Sequence, residues 1–219
     1  MRIGHRGAAG HAPENTLASI EKAIALGADF VEFDVQQTRD GHLVVIHDKR
    51  VDRTTDGQGY VAEMSLDQIR KLKAGDGRPI PLFEEVTRVA NGRAGVIIEI
   101  KTEGSAERVC AKVQESGFTG PVIFASFLHA ELLQVRNILE TATTMALLKG
   151  VPIRPTAFAV DAKVSHVGLA LGSITQTFVN ALRSDGFRVF VYTVNDPFDI
   201  QWVTSLGVDG IISDFPERI

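Results

Sequence analysis

Hydrophobic positions along the chain follow two rhythms that take turns. Apolar residues three or four apart (Leu82-Phe83, Val86 and Val89-Ala90, then Val109 and Val113) predict amphipathic helices. Short runs dense in β-branched and aromatic residues predict strands. Four times a helix-like stretch ends in Gly and a strand-like run follows within a few residues: Gly27 into Phe30–Val35, Gly117 into Pro121–Ser126, Gly186 into Phe187–Val194 and Gly207 into Asp209–Ser213. Glycine suits the residue after a helix because it adopts the left-handed conformation without a Cβ clash. Helix–Gly–strand at this spacing predicts a wound α/β protein with a parallel sheet.

The strands expected are Arg2–Gly4, Phe30–Val35, Leu43–Ile46, Val96–Ile100, Val122–Ala125, Thr144–Leu148, Val164–Leu169, Arg188–Val194 and Val208–Ile212. Leu43–Ile46 follows the turn pair Asp40-Gly41 and is expected to return beside the second strand as a hairpin. Eight strands alternating with helices remain, which fits an α/β (β/α)8 TIM-type barrel with lean loops. An open doubly wound sheet is the alternative, and no G-x-G-x-x-G fingerprint supports it. The pattern is least regular over Lys149–Leu169. Ser65 with Gln68 and Ser173 with Gln176 are expected capping boxes, Asp196-Pro197 a helix start, and Asn15 or Thr16 the cap of a helix ending before Gly27. With no linker and no break in composition, residues 1–219 are expected to form one barrel domain. The excursion 48–81 is its short capping insertion after the second strand, folding over the active-site face.

Composition narrows the function. The 219 residues are 44% hydrophobic and 23% charged, with net charge −4. These are values of an ordinary globular protein without the basic field needed for nucleic acid or a stable hold on an anionic membrane. A single cysteine, Cys110, excludes an internal disulfide and a thiolate metal cluster, and its apolar setting predicts a buried structural thiol. The first residues lack an apolar leader and no uncharged apolar run approaches 18 residues, so a cytoplasmic protein is expected. Oligomeric state is not legible.

The chemistry lies in what terminates the strands. His5-Arg6, Glu32 and Asp34, His47-Asp48, Glu99 and Lys101, Asn195, and Asp214 all stand at or just past the C-terminal ends of apolar runs. Residues two apart on a strand face one way, so Glu32 and Asp34 share a side opposite Val31, Phe33 and Val35, and Glu99 and Lys101 pair likewise. In a barrel these ends converge on the rim that carries active sites. Glu32, Asp34 and Glu99 are hard oxygen donors suited to Mg²⁺ or Ca²⁺, with Mn²⁺ also admissible, rather than zinc. Arg6 and Lys101 add fixed positive charge suited to a phosphate, and His5 and His47 can exchange protons near neutrality. A metal, two cations and two imidazoles are what cleavage of a phosphate ester requires.

The chain also resembles the glycerophosphodiester phosphodiesterases. The resemblance rests on His5-Arg6-Gly7, Pro13-Glu14-Asn15-Thr16, Glu32-Phe33-Asp34-Val35, Asp40-Gly41 through His47-Asp48, and Asp52 through Gly57. It continues through Ile80–Val86, Glu99-Ile100-Lys101, Ser126-Phe127, Thr193-Val194-Asn195 and Gly210–Pro216, in family order over nearly the whole chain. It implies a barrel that hydrolyses glycerophosphodiesters to glycerol 3-phosphate and an alcohol. In that family's pattern Glu32, Asp34 and Glu99 hold one divalent cation, His5 and His47 are the acid/base pair, and Arg6 and Lys101 contact phosphate. Phe127 and Tyr192 would line the pocket. The family is thought to attack through the neighbouring glycerol hydroxyl, giving a cyclic phosphate. Two departures, Tyr192 where the family often has tryptophan and the short cap, leave the leaving alcohol open.

Other polar residues have plainer readings. Glu14 and Asn15 either meet substrate or, for Asn15, cap a helix. His11, His42 and His166 read as loop or strand residues, while His129, opening a helix, lies within reach of the rim. Arg53 and Asp56 either touch substrate or shape a turn, and Asp214 reads as fixing the last strand-to-helix turn. Two alternatives stand beside the hydrolase: a lysophospholipase D-like or cyclising enzyme on lysolipids, and a catalytically silent phosphate-binding barrel.

Overall fold

The computed structural model describes residues 1–219. Nine strands form one sheet: β1 (Arg2–Gly4), β2 (Phe30–Gln37), β3 (Leu43–Val45), β4 (Gly95–Ile100), β5 (Val122–Ser126), β6 (Thr143–Leu148), β7 (His166–Ala170), β8 (Arg188–Tyr192) and β9 (Gly210–Ser213). Their order is β1-β9-β8-β7-β6-β5-β4-β2-β3, and β1 also pairs with β2. That pairing, Ile3 beside Phe30 and Gly4 beside Val31, closes eight parallel strands into a barrel. β3 lies outside the closed circuit as the antiparallel return of β2, with Val45 opposite Val35, as Asp40-Gly41 predicts. Gly41 takes φ +84°, the conformation the turn needs.

Alternation along the strands separates two cores. Val31, Phe33 and Val35 of β2, and Val96, Ile98 and Ile100 of β4, face outward into the layer shared with the helices. Ile3, Ile97, Ile123, Ala125, Met145, Leu147, Phe190 and Ile212 fill the barrel interior. Each of the larger of these side chains contributes about 1.5–3 kcal/mol by leaving water, so the parity of the strands that carry them is strongly fixed. One consequence decides the site. Glu32 and Asp34 share the inward parity of β2, and Glu99 that of Ile97 in β4.

The helices are α1 (Leu17–Ala25), α2 (Leu66–Ile69), α3 (Phe83–Ala90), α4 (Ala106–Glu115), α5 (His129–Ile138), α6 (Ala157–Asp161), α7 (Gln176–Ser184) and α8 (Pro197–Ser205). Ser65 and Gln68 form the expected reciprocal cap of α2, and Asp196 caps α8 ahead of Pro197. α1 is capped by Thr16, whose Oγ1 accepts from the Ser19 N–H at 3.2 Å, which frees Asn15. The box expected at Ser173 and Gln176 does not form. Thr175 caps α7 instead, and the Ser173 hydroxyl accepts from the Gly150 N–H at 2.7 Å. A short 3-10 turn over Leu171–Ser173 brings the chain two residues closer to the helix before the cap occurs. Cys110 is buried in α4, where burial raises its thiol to about 11. The excursion 48–81 has its own apolar centre, Val51, Val61, Ile69 and Ile80, built against Val44 and Ile46. Arg70 fastens it to α3 through a two-pronged pair with Glu85 at 2.8 and 3.0 Å.

His166 sits low in the barrel, stacked on Phe190 with ring centroids 5.3 Å apart. Burial, aided by Arg188, pulls its imidazole down to about 4. The folded state therefore keeps the ring neutral where an unfolded chain, titrating near its ordinary value of about 6.5, binds a proton. This contribution is complete above pH 6.5 and is lost as pH falls towards 4. The stability advantage of the parent over His166→Gln, measured by urea unfolding, is expected to shrink across that window.

Candidate active site

At the C-terminal mouth of the barrel, Glu32, Asp34 and Glu99 converge so that one oxygen of each lies within 4.8 Å of the others. Asp34 and Glu99 are direct neighbours in the β2–β4 register. All three are buried, Asp34 completely. Glu32 Oε2 accepts from the Arg6 N–H at 2.7 Å, and Asp34 Oδ2 from Asn15 Nδ2 at 2.8 Å. Glu32 Oε1 and Asp34 Oδ1 are buried with no hydrogen-bond donor. Lys101 Nζ stands 3.4 Å from Asp34 Oδ1, an ion-pair distance without hydrogen-bond geometry. Buried carboxylate oxygens left without donors, in an all-oxygen set, fit a hard divalent cation.

The electrostatics follow from crowding. Burial, then Asp34 and Glu99, hold the Glu32 carboxyl well above the usual range. Burial and Asp34 push Glu99 up to about 7, against the pull of Lys101. Burial would raise Asp34 too, but Lys101 and Arg6 outweigh it and Asp34 stays below its ordinary value. The same attraction overcomes the burial of Arg6 and Lys101 and holds both above theirs. Lys101 Nζ donates to Glu99 Oε1 at 2.6 Å, while Arg6 Nε faces Asp34 at 3.4 Å without a hydrogen bond. Unmatched donor and unmatched acceptors thus lie side by side.

The loop after β1 is shaped for this contact. Arg6 takes φ +49° and Gly7 φ +83°. A Cβ at Gly7 would stand 2.5 Å from the backbone carbonyl carbon of Ser19, so only glycine fits against α1. The Ser19 hydroxyl and the Asn15 N–H both donate to the Arg6 carbonyl, at 2.8 and 3.1 Å. Asn15 receives the Asp34 N–H at 3.2 Å while donating to that residue's carboxylate. Its role is therefore to orient Asp34.

Each histidine is backed by a carboxylate. His5 Nδ1 lies 2.7 Å from Asp214 Oδ1, and His47 Nδ1 lies 2.5 Å from Asp48 Oδ1. Because a carboxylate accepts, Nδ1 carries the proton and Nε2 is left as each ring's working atom. Asp214 also accepts from Asn195 Nδ2 at 2.6 Å, and bonds from His5 and Asn195 outweigh burial to lower its carboxyl. Asp214 thus does more than shape the final turn. Behind His47, Arg53 donates to Asp48 at 2.6 Å and grips Glu14 with two bonds of 2.7 and 2.8 Å. Glu14 in turn accepts from Arg6 Nη1 at 2.7 Å. A continuous chain, His47–Asp48–Arg53–Glu14–Arg6, thereby crosses the rim. Arg53 holds Asp48 far below the usual carboxylate range, and burial of His47 outweighs Asp34 and Asp48 to lower its imidazole.

His5, Glu32 and Glu99 share a narrow pocket with Ile97, Met145, Leu147, Phe127 and Tyr192. Phe127 and Tyr192 meet edge-to-face at 5.9 Å, and the Tyr192 hydroxyl donates to the Leu148 carbonyl at 3.1 Å. The remaining four histidines lie elsewhere: His129 with the Leu147 carbonyl at 2.9 Å, His11 with Glu217 at 2.8 Å, His42 in the β2–β3 turn with its backbone bonded to Thr38, and His166 at the barrel floor. Asp56 accepts from the Lys73 N–H at 2.7 Å, a turn-shaping role. The Asp214, Asp48 and Glu14 partnerships are what sequence reading missed. Asp48 adjoins a histidine already singled out, but no local signal joins Asp214 to His5 across 209 positions.

Residues 5–218 match the family model described as the glycerophosphoryl diester phosphodiesterase family. The chain is 35% identical to a glycerophosphodiester phosphodiesterase of Caldanaerobacter subterraneus subsp. tengcongensis, with 99% of this chain and 95% of that protein aligned. It is 33% identical to one from Bacillus altitudinis over 99% and 95%. Among solved structures, an Oleispira antarctica phosphodiesterase in complex with the product sn-glycerol-3-phosphate superposes with TM-score 0.92 at 28% identity, covering 99% and 94%. A glycerophosphodiester phosphodiesterase of Agrobacterium tumefaciens gives 0.85 at 31%, covering 99% and 97%. Fold and relatives define a TIM-type barrel enzyme that hydrolyses phosphoric diesters. The chain belongs to the glycerophosphoryl diester phosphodiesterase family.

A cation entering the acidic triad must displace the proton that crowding retains there. Affinity for Mg²⁺, Mn²⁺ or Ca²⁺ is therefore expected to rise with pH up to about 7, by about tenfold per pH unit for each proton displaced. Calorimetric titration in two buffers of different ionisation enthalpy should register at least one proton released per ion bound below pH 7.

Proposed function

We propose that the chain cleaves glycerophosphodiesters to glycerol 3-phosphate and an alcohol, with Glu32, Asp34 and Glu99 holding one Mg²⁺ or Ca²⁺. The observation that carries this reading is the pair of donor-less carboxylate oxygens flanked by two carboxylate-backed imidazoles. When bound, the cation would neutralise and orient the phosphoryl oxygens. Arg6, with its unmatched Nε, and Lys101 bind the phosphate and offset its charge. One of His5 and His47 takes at Nε2 the proton of the attacking hydroxyl, either water or the glycerol's own neighbouring hydroxyl whose cyclic phosphate water then opens. The other, entering as the imidazolium, gives its Nε2 proton to the leaving oxygen. The backing carboxylates Asp214 and Asp48 stabilise each imidazolium as it forms. Apolar walls at Ile97, Met145 and Leu147 exclude water beneath the reacting group, while Phe127 and Tyr192 flank the glycerol or the leaving alcohol. The excursion 48–81 serves as a cap, latched to the rim by Arg53 and Glu14. A cytoplasmic location belongs to the same reading.

Glycerophosphocholine and glycerophosphoethanolamine, assayed with each of Mg²⁺, Mn²⁺ and Ca²⁺, are expected to yield glycerol 3-phosphate, and a chelator to stop its release. His47→Ala should lower kcat by about 10²- to 10⁴-fold while retaining metal affinity, and Glu99→Ala should lose that affinity. Parent-like turnover by His47→Ala would remove it from the acid/base pair.

A further inference from the structure

Large apolar side chains left in solvent are concentrated on one face. Of the ten so exposed, six stand at the mouth: Tyr60, Phe127, Leu128, Val151, Ile153 and Phe198. Phe127 and Leu128 follow β5, Val151 and Ile153 follow β6, and Phe198 lies in the first turn after β8, so topology puts them on the rim. Tyr60 joins them from the excursion and shares a groove with Phe127, Leu128 and Lys101. The segment after β6 is the most prominent. Ile153 is 102% exposed and touches nothing, yet it is held between Pro152 and Pro155, with the Gly150 N–H anchored on Ser173. A proline-stiffened tip presenting a bare isoleucine has no role in the packing of the barrel.

Charge indicates what covers the tip. No acidic residue occurs between Glu140 and Asp161, whereas Lys149 and Arg154 bracket the apolar pair. Lys49 adds positive charge along the groove beside Glu103, while Glu14, Asp48, Asp196, Asp199 and Asp214 are acids elsewhere on this rim, outside that acid-free stretch. Apolar tips flanked by cations are matched by a lipid–water interface carrying anionic headgroups, which attracts the basic residues and accepts the apolar ones. We propose that the mouth face docks reversibly on an anionic lipid surface through the Val151–Arg154 tip, bringing the barrel mouth to the interface. Overall charge of −4 makes such docking weak and local, which whole-chain composition does not register.

The test is sedimentation of the full chain with vesicles of phosphatidylglycerol and phosphatidylcholine, against phosphatidylcholine alone, at low salt. Binding is expected only with phosphatidylglycerol, to weaken at least threefold in 0.5 M salt, and to fall at least fivefold in the Val151→Ser/Ile153→Ser double variant. That variant should hydrolyse soluble glycerophosphocholine at the parent rate, a readout that tests the hydrolytic reading separately. Absence of phosphatidylglycerol binding, or equal binding by the variant, would overturn the proposal. So would a concentration-dependent dimer of the parent that the variant abolishes, since the tip would then be a contact between copies.

Discussion

Three carboxylates forced together inside a barrel mouth set the terms for everything around them. Inward parity on β2 and β4 makes the encounter of Glu32, Asp34 and Glu99 unavoidable, because turning any of them away would reverse the packing of Val31, Phe33 and Ile98. Like charges at such range cannot all ionise in a dry site without compensation. The compensation is arranged locally: a backbone N–H and two cations from the loop after β1 and the end of β4, and an amide from the loop ahead of α1. The residual imbalance, two acceptors and one donor unmatched, is the site's affinity for what it binds.

The same economy explains the rim. Arg6 donates its backbone N–H to Glu32, faces Asp34 with Nε and donates Nη1–H to Glu14, and Glu14 reaches Arg53 and so Asp48 and His47. One acid therefore links the Arg6 guanidinium to the His47 imidazole across the mouth. Loops on a rigid scaffold are ordinarily the mobile part of a barrel enzyme. Here two arginines fix the excursion by ion pairs, Arg53 at the mouth and Arg70 to α3.

Periodicity alone made the barrel readable, since helix–Gly–strand repeats are local and each strand's parity is written in its residues. The acid triad was readable for the same reason: Glu32, Asp34 and Glu99 carry their direction in their place on a strand. Helix caps were less legible. Thr175 and Ser173 offer equivalent hydroxyls, and only the intervening 3-10 turn selects between them. The partners of His5 and His47 lay further out of reach. Asp214 and Arg53 acquire their roles through contacts that no period or spacing encodes, and Asn15 exchanged a local cap for a distant carboxylate.

The barrel closes between its first and last strands, with β9 wedged between β1 and β8. His5 thus finds Asp214 only once β9 has been made. At about 5–20 residues per second of synthesis, the imidazole emerges from the ribosome roughly 10–40 s before its carboxylate. Until then β1 and β8 present open edges, and neither half of the dyad has a partner. A nascent chain that stops short of β9 therefore has neither a closed barrel nor the His5–Asp214 contact. The interval before closure, not the finished barrel, is when this protein is most exposed to aggregation.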